Sequence, residues 1–144
     1  MAGTPDALVR QWFEDLWNRG DESTIDRLLA PNARAHGLSP ADQPHVGPDS
    51  FKNFYRQFRA GFPNIHIDVE RTVTEGDTVV ALCHCTGTHG GNFLGKAPTQ
   101  NQIDFRGMAM VRVANGQFVE AWNTFDFLTC YQQIELMPQL AAQP

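Results

Sequence analysis

The sequence has few basic residues, few cysteines and no long apolar run, and each shortage excludes a class of protein. Its 144 residues contain 11 Lys and Arg against 16 Asp and Glu, and the basic residues form no cluster that would bind phosphates. No apolar stretch approaches the roughly 18 residues of a membrane span, and the N-terminus lacks a signal-peptide layout. We therefore expect a cytoplasmic protein that binds neither nucleic acid nor a membrane.

The three cysteines, Cys83, Cys85 and Cys130, are an odd number in a chain long enough to fold without disulfides. Cys83 and Cys85 are expected on one face of a strand, but no CxxC or HxxxH partner lies near them. We expect free thiols and no metal site.

The remaining composition indicates a folded domain. Apolar residues make up 42% of the chain and charged residues 19%, which is enough for a hydrophobic core and too little charge for a disordered chain. The length matches one domain, so residues 1–144 are expected to fold as a single unit.

Apolar residues recur at helical spacing in the first part of the chain and at strand spacing in the second. Helices are predicted over 5–18, over 21–30 and over 47–61, and the aromatic stripe of the third is interpreted as core. After Pro63 the period becomes two. It predicts one hairpin from 65–73 and 78–89 and a second from 102–113 and 117–126, with a glycine-rich loop between them at 90–100; a last helix is predicted over 127–140.

Helices followed by antiparallel strands are typical of an α+β domain in which the helices pack on one face of a curved sheet. A sheet that curves around helices forms a cone. The open end of a cone is expected to be a pocket.

One combined pattern consists of the loop GTHGGNFLGKAPT (87–99), the short run FRG (105–107) and the segment NGQFVEAWNTFDFLTCYQQIEL (115–136). WFEDLWNRGDESTIDRLLAPNARAH (12–36) and FPNIHIDVERTVTEGDTVV (62–80) extend it over nearly the whole chain. This pattern resembles the SnoaL-like polyketide cyclases of the NTF2-like superfamily. The resemblance implies an NTF2-like cone-shaped barrel, in which a curved, mostly antiparallel sheet wraps around N-terminal helices. It also implies a homodimer and an intramolecular aldol closure without a cofactor, with a carboxylate as acid and base.

Side-chain alternation on the second hairpin predicts which residues face the pocket. The odd-numbered residues form the more apolar set on both strands and are assigned to the interior, which requires an odd-length turn or a bulge between the strands. Small side chains on that face leave a void, which we expect to bind a small hydrophobic molecule. The expected substrate-binding residues are Phe105, Gly107, Ala109, Ala121 and Phe125, together with Phe13, which resembles a pocket-lining aromatic of isomerases with this fold.

Asn123 is the one polar side chain of the interior set, so a buried partner or a ligand must satisfy its amide. By the resemblance, this position after the Trp usually carries the catalytic Asp of the cyclases. An amide can polarise a carbonyl by donating a hydrogen bond, but it does not accept and return a proton near neutral pH.

Three other residues are candidates for proton transfer. His36 ends the first strand, where family members carry a His near the pocket mouth; the alternative is a surface His at the start of a loop. His89 lies beside the glycine-rich loop, where the alternative is a structural role in tying that loop to the sheet. Asp126 is a replacement carboxylate or a cap of the last helix.

The even-numbered face of the second hairpin is assigned to the outside. Met108, Met110 and Trp122 are expected to form a dimer interface there, and Arg112 with Glu120 an exposed ion pair. The facing of His66 and His84 is left open, with a structural role as the default.

Two hypotheses about function follow. The first is a cofactor-independent cyclase, isomerase or hydratase-like enzyme, in which Asn123 orients a carbonyl and His36 or His89 moves the proton. The second is a binding module that holds an apolar ligand without a competent base. An epoxide hydrolase is less favoured, because the odd-numbered faces offer no Asp, Arg, Asp cluster.

Overall fold

The computed structural model describes residues 3–39 and 43–138. The expected domain also includes residues 1–2, 40–42 and 139–144, which lie outside the described residues, as do the last two residues of the predicted final helix. The helices are α1 (Pro5–Gln11), α2 (Ser23–Leu28), α3 (Gly47–Gly61) and α4 (Phe127–Gln133). The strands are β1 (Leu29–His36), β2 (His45–Val46), β3 (His66–Glu75), β4 (Thr78–Thr88), β5 (Gln102–Ala114) and β6 (Gln117–Phe125).

The first predicted helix is confirmed, but its winding changes halfway. Pro5 begins α1, because a missing N–H costs nothing in the first turn of a helix. From Trp12 to Asn18 the helix continues with π-type winding, which the sequence analysis did not predict. This segment buries Trp12, Phe13, Leu16 and Trp17 on its core side.

The six strands form one curved sheet in the order β2-β1-β6-β5-β4-β3. Every pairing is antiparallel except that of β1 with β6, which is parallel. Helix α1 and its π-helical continuation contact β3 at one edge of the sheet. Helix α3 contacts β1, which lies near the opposite edge. The predicted α+β class is therefore confirmed, with helices packed on a mostly antiparallel sheet.

A bulge in the β5–β6 hairpin decides which side chains face inward. The turn holds two residues, Asn115 and Gly116, both with positive φ. A turn of this length by itself would pair even-numbered residues of β5 with odd-numbered residues of β6, and the reverse. The register shifts between Arg112 and Val113, so that Val113 pairs with Phe118 but Arg112 pairs with Glu120 and Ala109 with Asn123. One extra residue on β6 thus brings the two odd-numbered sets onto one face, as the sequence analysis required.

The assignment of Phe118 to the outer face is wrong. It lies on the turn side of the bulge, pairs with Val113 and is only 3% exposed. Its ring packs edge-on against Trp12 at 5.3 Å between centroids. The period-two pattern runs unbroken through the bulge in the sequence, whereas the facing of the side chains reverses there.

The three cysteines are buried free thiols. Cys83 and Cys85 share the inner face of β4, and burial raises the pKa of Cys83 to about 12. Within residues 3–39 and 43–138, no group of three or more His, Cys, Asp or Glu side chains is placed to hold a metal ion. No helix in that part of the chain is long and apolar enough to cross a membrane.

Candidate functional site

A cavity lies between the inner face of the sheet and the helices. Its volume is about 70 Å³. The wall is apolar almost throughout. Five of the expected binding residues contribute to it, namely Phe13, Phe105, Ala109, Ala121 and Phe125.

Gly107 does not open the void as expected. The ring of Phe125 lies over it, and a Cβ placed on Gly107 would come within 2.4 Å of that ring. The space that a glycine leaves on the strand is filled by the aromatic side chain directly across on β6. Gly107 therefore lies outside the cavity wall.

The aromatic stripe of α3 forms a second part of the wall, which the sequence analysis interpreted only as core. Phe51, Phe54 and Phe58 all reach the cavity, opposite Trp12 and Trp17 of the π-helical segment. The rings also pack on one another, with 5.2 Å between the centroids of Trp12 and Phe51. Helical spacing shows that such a stripe faces inward, but not whether the interior in front of it is filled.

Asn123 lies in the cavity wall and is half-buried. Its Nδ2 donates a hydrogen bond of 3.0 Å to the backbone carbonyl of His36, which fixes the amide to the end of β1. In residues 3–39 and 43–138, no donor reaches its Oδ1. A carbonyl acceptor and one further N–H are thus available to a ligand.

The side chain of His36 lies on the opposite face of the sheet from this amide. Because β1 and β6 are paired in register at His36 and Trp122, the imidazole shares the outer face with that indole and stacks on it at 5.8 Å. Its Nε2 lies 2.7 Å from Glu120 Oε2, and this contact holds the pKa of Glu120 below its usual value. The expected position at the pocket mouth is therefore not found, since strand register turns the ring outward.

His89 is fully buried and ties the glycine-rich loop to the sheet. Its Nδ1 accepts a hydrogen bond from the Thr99 backbone N–H at 3.2 Å and lies 2.9 Å from Thr99 Oγ1. Nε2 therefore carries the proton, and it has no partner among the described residues. Burial lowers the pKa of His89. This placement matches the structural alternative, outside the cavity wall.

Asp126 caps α4. Its carboxylate accepts hydrogen bonds from the backbone N–H of Thr129 at 3.1 Å and from the Thr129 hydroxyl at 2.6 Å. These bonds hold the pKa of Asp126 below its usual value, as expected for a carboxylate at a helix N-terminus. Of the side chains in the described wall, only the Cys85 thiol is ionisable, and burial raises its pKa.

The outer face of the sheet carries the charged groups. Arg112 and Glu120 form the expected ion pair at 3.7 Å, and His84 lies on this face with its Nε2 2.7 Å from Asp104. His66 is exposed beside Asp68. Met108, Met110 and Trp122 form the patch expected at a dimer interface, and they are 51%, 39% and 36% exposed.

The fold and the cavity define a protein class: an NTF2-like cone with an apolar pocket closed by helices. A family model for SnoaL-like polyketide cyclases matches residues 7–134. The chain belongs to the SnoaL-like polyketide cyclase family. None of the functionally curated proteins matches it significantly.

Several solved structures share this fold. A proposed SnoaL-like polyketide cyclase from Jannaschia sp. CCS1 is 26% identical, with 93% of each chain covered and a TM-score of 0.83. IdmH, a proposed polyketide cyclase from Streptomyces antibioticus, is 27% identical, with 92% of this chain and 99% of that chain covered and a TM-score of 0.80. AclR, a proposed hydroxylase from Streptomyces galilaeus, is 23% identical, with 95% of this chain and 84% of that chain covered and a TM-score of 0.82. At this identity the comparison with AclR shows only that the two proteins share a fold.

Proposed function

We propose that the protein is a cofactor-independent cyclase that closes a ring in a small apolar carbonyl compound. The observation that carries this proposal is a single anchored amide, Asn123, in an otherwise apolar cavity wall. The family and the cyclase relatives support the reaction type.

The cavity contributes by holding the substrate in a folded conformation. Aromatic walls on α3 and on the π-helical segment favour a flat, unsaturated molecule, because aromatic rings stack well on such surfaces. Bringing two reacting carbons of one molecule together lowers the entropy cost of the step that joins them. The wall is apolar almost throughout, and an apolar environment strengthens any hydrogen bond made inside.

Asn123 contributes by polarising a carbonyl. The free N–H of its amide is a donor for an oxygen that gains negative charge as the new carbon–carbon bond forms. The bond from Nδ2 to the His36 carbonyl holds the amide in place before the substrate arrives. Asn123 does not itself move a proton, so the amide orients and stabilises but is not the base.

Substitutions at Asn123 test this function. We expect the wild type to cyclise a polyketide-like methyl ester with two carbonyl groups, and Asn123→Ala to lower kcat/KM about 100-fold, the effect of removing one oxyanion donor. Asn123→Asp, which supplies the carboxylate usual in the family, is expected to raise turnover. Product formation is followed by chromatography, with Asn53→Ala on the exposed face of α3 as the matched control.

Thermal melting must show that each variant is folded, because Asn123→Ala also loses the bond to β1. Tight binding of hydrophobic ligands without turnover, in the wild type and in Asn123→Asp alike, would instead identify a binding module.

We also propose a homodimer that associates through the outer face of the sheet. Met108, Met110 and Trp122 are large apolar groups exposed beside the charged Arg112 and Glu120. An apolar centre with a charged rim is the usual composition of a protein interface.

A further inference from the structure

His45 faces the cavity side of the sheet. It lies directly opposite Ala35 in the antiparallel β1–β2 pair, and residues so paired point to the same face. Ala35 is part of the cavity wall, and so is Phe54, whose ring centroid lies 5.8 Å from that of the imidazole. In the described part of the chain, no other histidine ring packs against an aromatic ring of the wall.

Two serine hydroxyls hold this imidazole, one at each nitrogen. Nε2 lies 2.7 Å from Ser39 Oγ, and Nδ1 lies 2.7 Å from Ser50 Oγ. Ser39 follows Leu38, itself a wall residue, while Ser50 lies in the first turn of α3. A continuous chain of hydroxyl, imidazole and hydroxyl therefore lies beside the wall residues Leu38 and Phe54, although none of its three residues is part of the wall. We call this place the rim of the cavity.

The surroundings of this imidazole favour its neutral form. Burial lowers the pKa of His45 from the usual 6.5, and a hydrogen bond with the Ser50 backbone opposes this only in part. The groups that face the ring are Ser39 from the loop after β1, Ala35 from β1, and Ser50 and Phe54 from α3, and none of them carries a charge. A neutral imidazole whose Nε2 lone pair is directed at the Ser39 hydroxyl can act as a general base through that hydroxyl near pH 7.

We infer that His45, with Ser39 and Ser50 as its hydrogen-bond partners, is the proton-transfer group of the cavity. This inference rests on the cyclase function proposed above, and it assigns the role that Asn123 is unable to fill. An imidazole is too weak a base for an isolated ketone. The substrate class is therefore a 1,3-dicarbonyl compound, whose C–H between two carbonyls is acidic.

The proposed step needs no co-reactant, because every proton and electron pair is accounted for. The C–H bond breaks as Ser39 Oγ takes the proton and passes its own to His45 Nε2, while the Nδ1–H donates to Ser50. The enolate carbon attacks the second carbonyl, a carbon–carbon bond forms, and the π electrons of that carbonyl become an alkoxide. The alkoxide then takes the proton back from His45, which returns to its neutral form.

Two measurements on His45→Gln test this assignment, with His84→Gln on the outer face as the matched control. The first is kcat/KM for cyclisation across pH. We expect wild-type activity to fall as the pH drops through the pKa of His45, below 6.5. We expect His45→Gln to lose about 100-fold or more, mainly in kcat, together with this acid limb of the profile. Ser39→Ala is expected to lose less activity than His45→Gln. It is expected to fold, so it tests the assignment if His45→Gln does not fold.

The second measurement is exchange of the acidic C–H of an aryl 1,3-diketone with deuterated water, followed by NMR, which reports proton transfer without ring closure. Exchange accelerated by wild type but not by His45→Gln supports the inference even when no ring forms, and in that case only the cyclase proposal fails. Cyclisation with the same rate and pH profile in wild type and His45→Gln overturns the inference and leaves the cyclase proposal intact. Absence of both reactions overturns both.

Discussion

The two faces of the β5–β6 hairpin differ in chemistry although they are built from alternating residues of the same strands. The inner face presents Phe105, Ala109 and Ala121 to the cavity, with Asn123 as its one polar group. The outer face carries Arg112 paired with Glu120. The difference shows that charged groups are kept out of the wall, because a charge buried without a partner costs several kcal/mol.

This separation explains why proton transfer is assigned to the rim of the cavity. At the rim an imidazole is still partly hydrated and can be held by hydroxyl groups, as His45 is by Ser39 and Ser50. In the wall it would have to lose its water without such partners. The inner face therefore binds and orients the substrate, while an imidazole at the rim can gain and lose a proton.

The largest expected effect comes from placing a charge on the inner face. Ala109→Asp introduces a carboxylate at a position that is 2% exposed, and we expect it to lower the free energy of unfolding by about 3 kcal/mol near pH 7. Because burial raises the pKa of such a carboxyl, the loss should shrink as the pH falls. Urea unfolding at two pH values measures this.

The matched control is Ala114→Asp, at the half-exposed turn end of the same strand. Its unfolding free energy should change by about 0.5 kcal/mol or less. Equal losses in the two variants would mean that the inner face is not excluded from water, contrary to the comparison of the two faces.

A smaller effect is expected at Met110, the next residue along the strand but on the outer face. If the patch of Met108, Met110 and Trp122 is the dimer interface, Met110→Asp should weaken dimerisation about 10-fold, because the new charge is desolvated in the complex. Sedimentation equilibrium measures the dissociation constant. Val73→Asp, at another exposed apolar residue of the sheet, is the control, and a wild type that stays monomeric at high concentration would contradict the dimer.

The smallest effect is expected for Glu120→Gln on the outer face. The contact with His36 holds the pKa of Glu120 below the usual 4.5, so this carboxylate stabilises the fold above that pH and loses its contribution as the pH falls through the lowered pKa. The variant should therefore lose less stability on acidification than the wild type does. Urea midpoints near pH 7 and near pH 3 test this, with Glu75→Gln at the exposed end of β3 as control.

Period-two alternation and turn residues correctly placed the strands and the inner face of the last hairpin. The bulge that brings Ala109 opposite Asn123 was required by that assignment, yet its position was not predictable, and Phe118 was assigned to the wrong face as a result. Helical periodicity likewise predicted the aromatic stripe of α3, but not that Phe54 borders empty space.

Contacts between segments distant in the sequence decide which of the predicted site residues lie at the cavity. Side-chain alternation correctly predicted Asn123 in the wall, and the position of Asp126 before the last helix indicated capping as one of its two possible roles. His36 was expected at the pocket mouth, but the parallel pairing of β1 with β6 turns it toward Glu120. The sequence analysis did not identify His45 as a candidate, because its two hydroxyl partners are not recognisable from spacing alone.

The sequence by itself determined the family, the order of the helices and of the five longer strands, and the apolar character of the inner face, since all of these follow from local periodicity and from a pattern spread along the chain. The tertiary structure decided which histidine stands near the cavity and which face each one occupies. The physical reason is that a strand fixes only the alternation of its side chains, whereas its register against a neighbour selects which alternate set meets the interior.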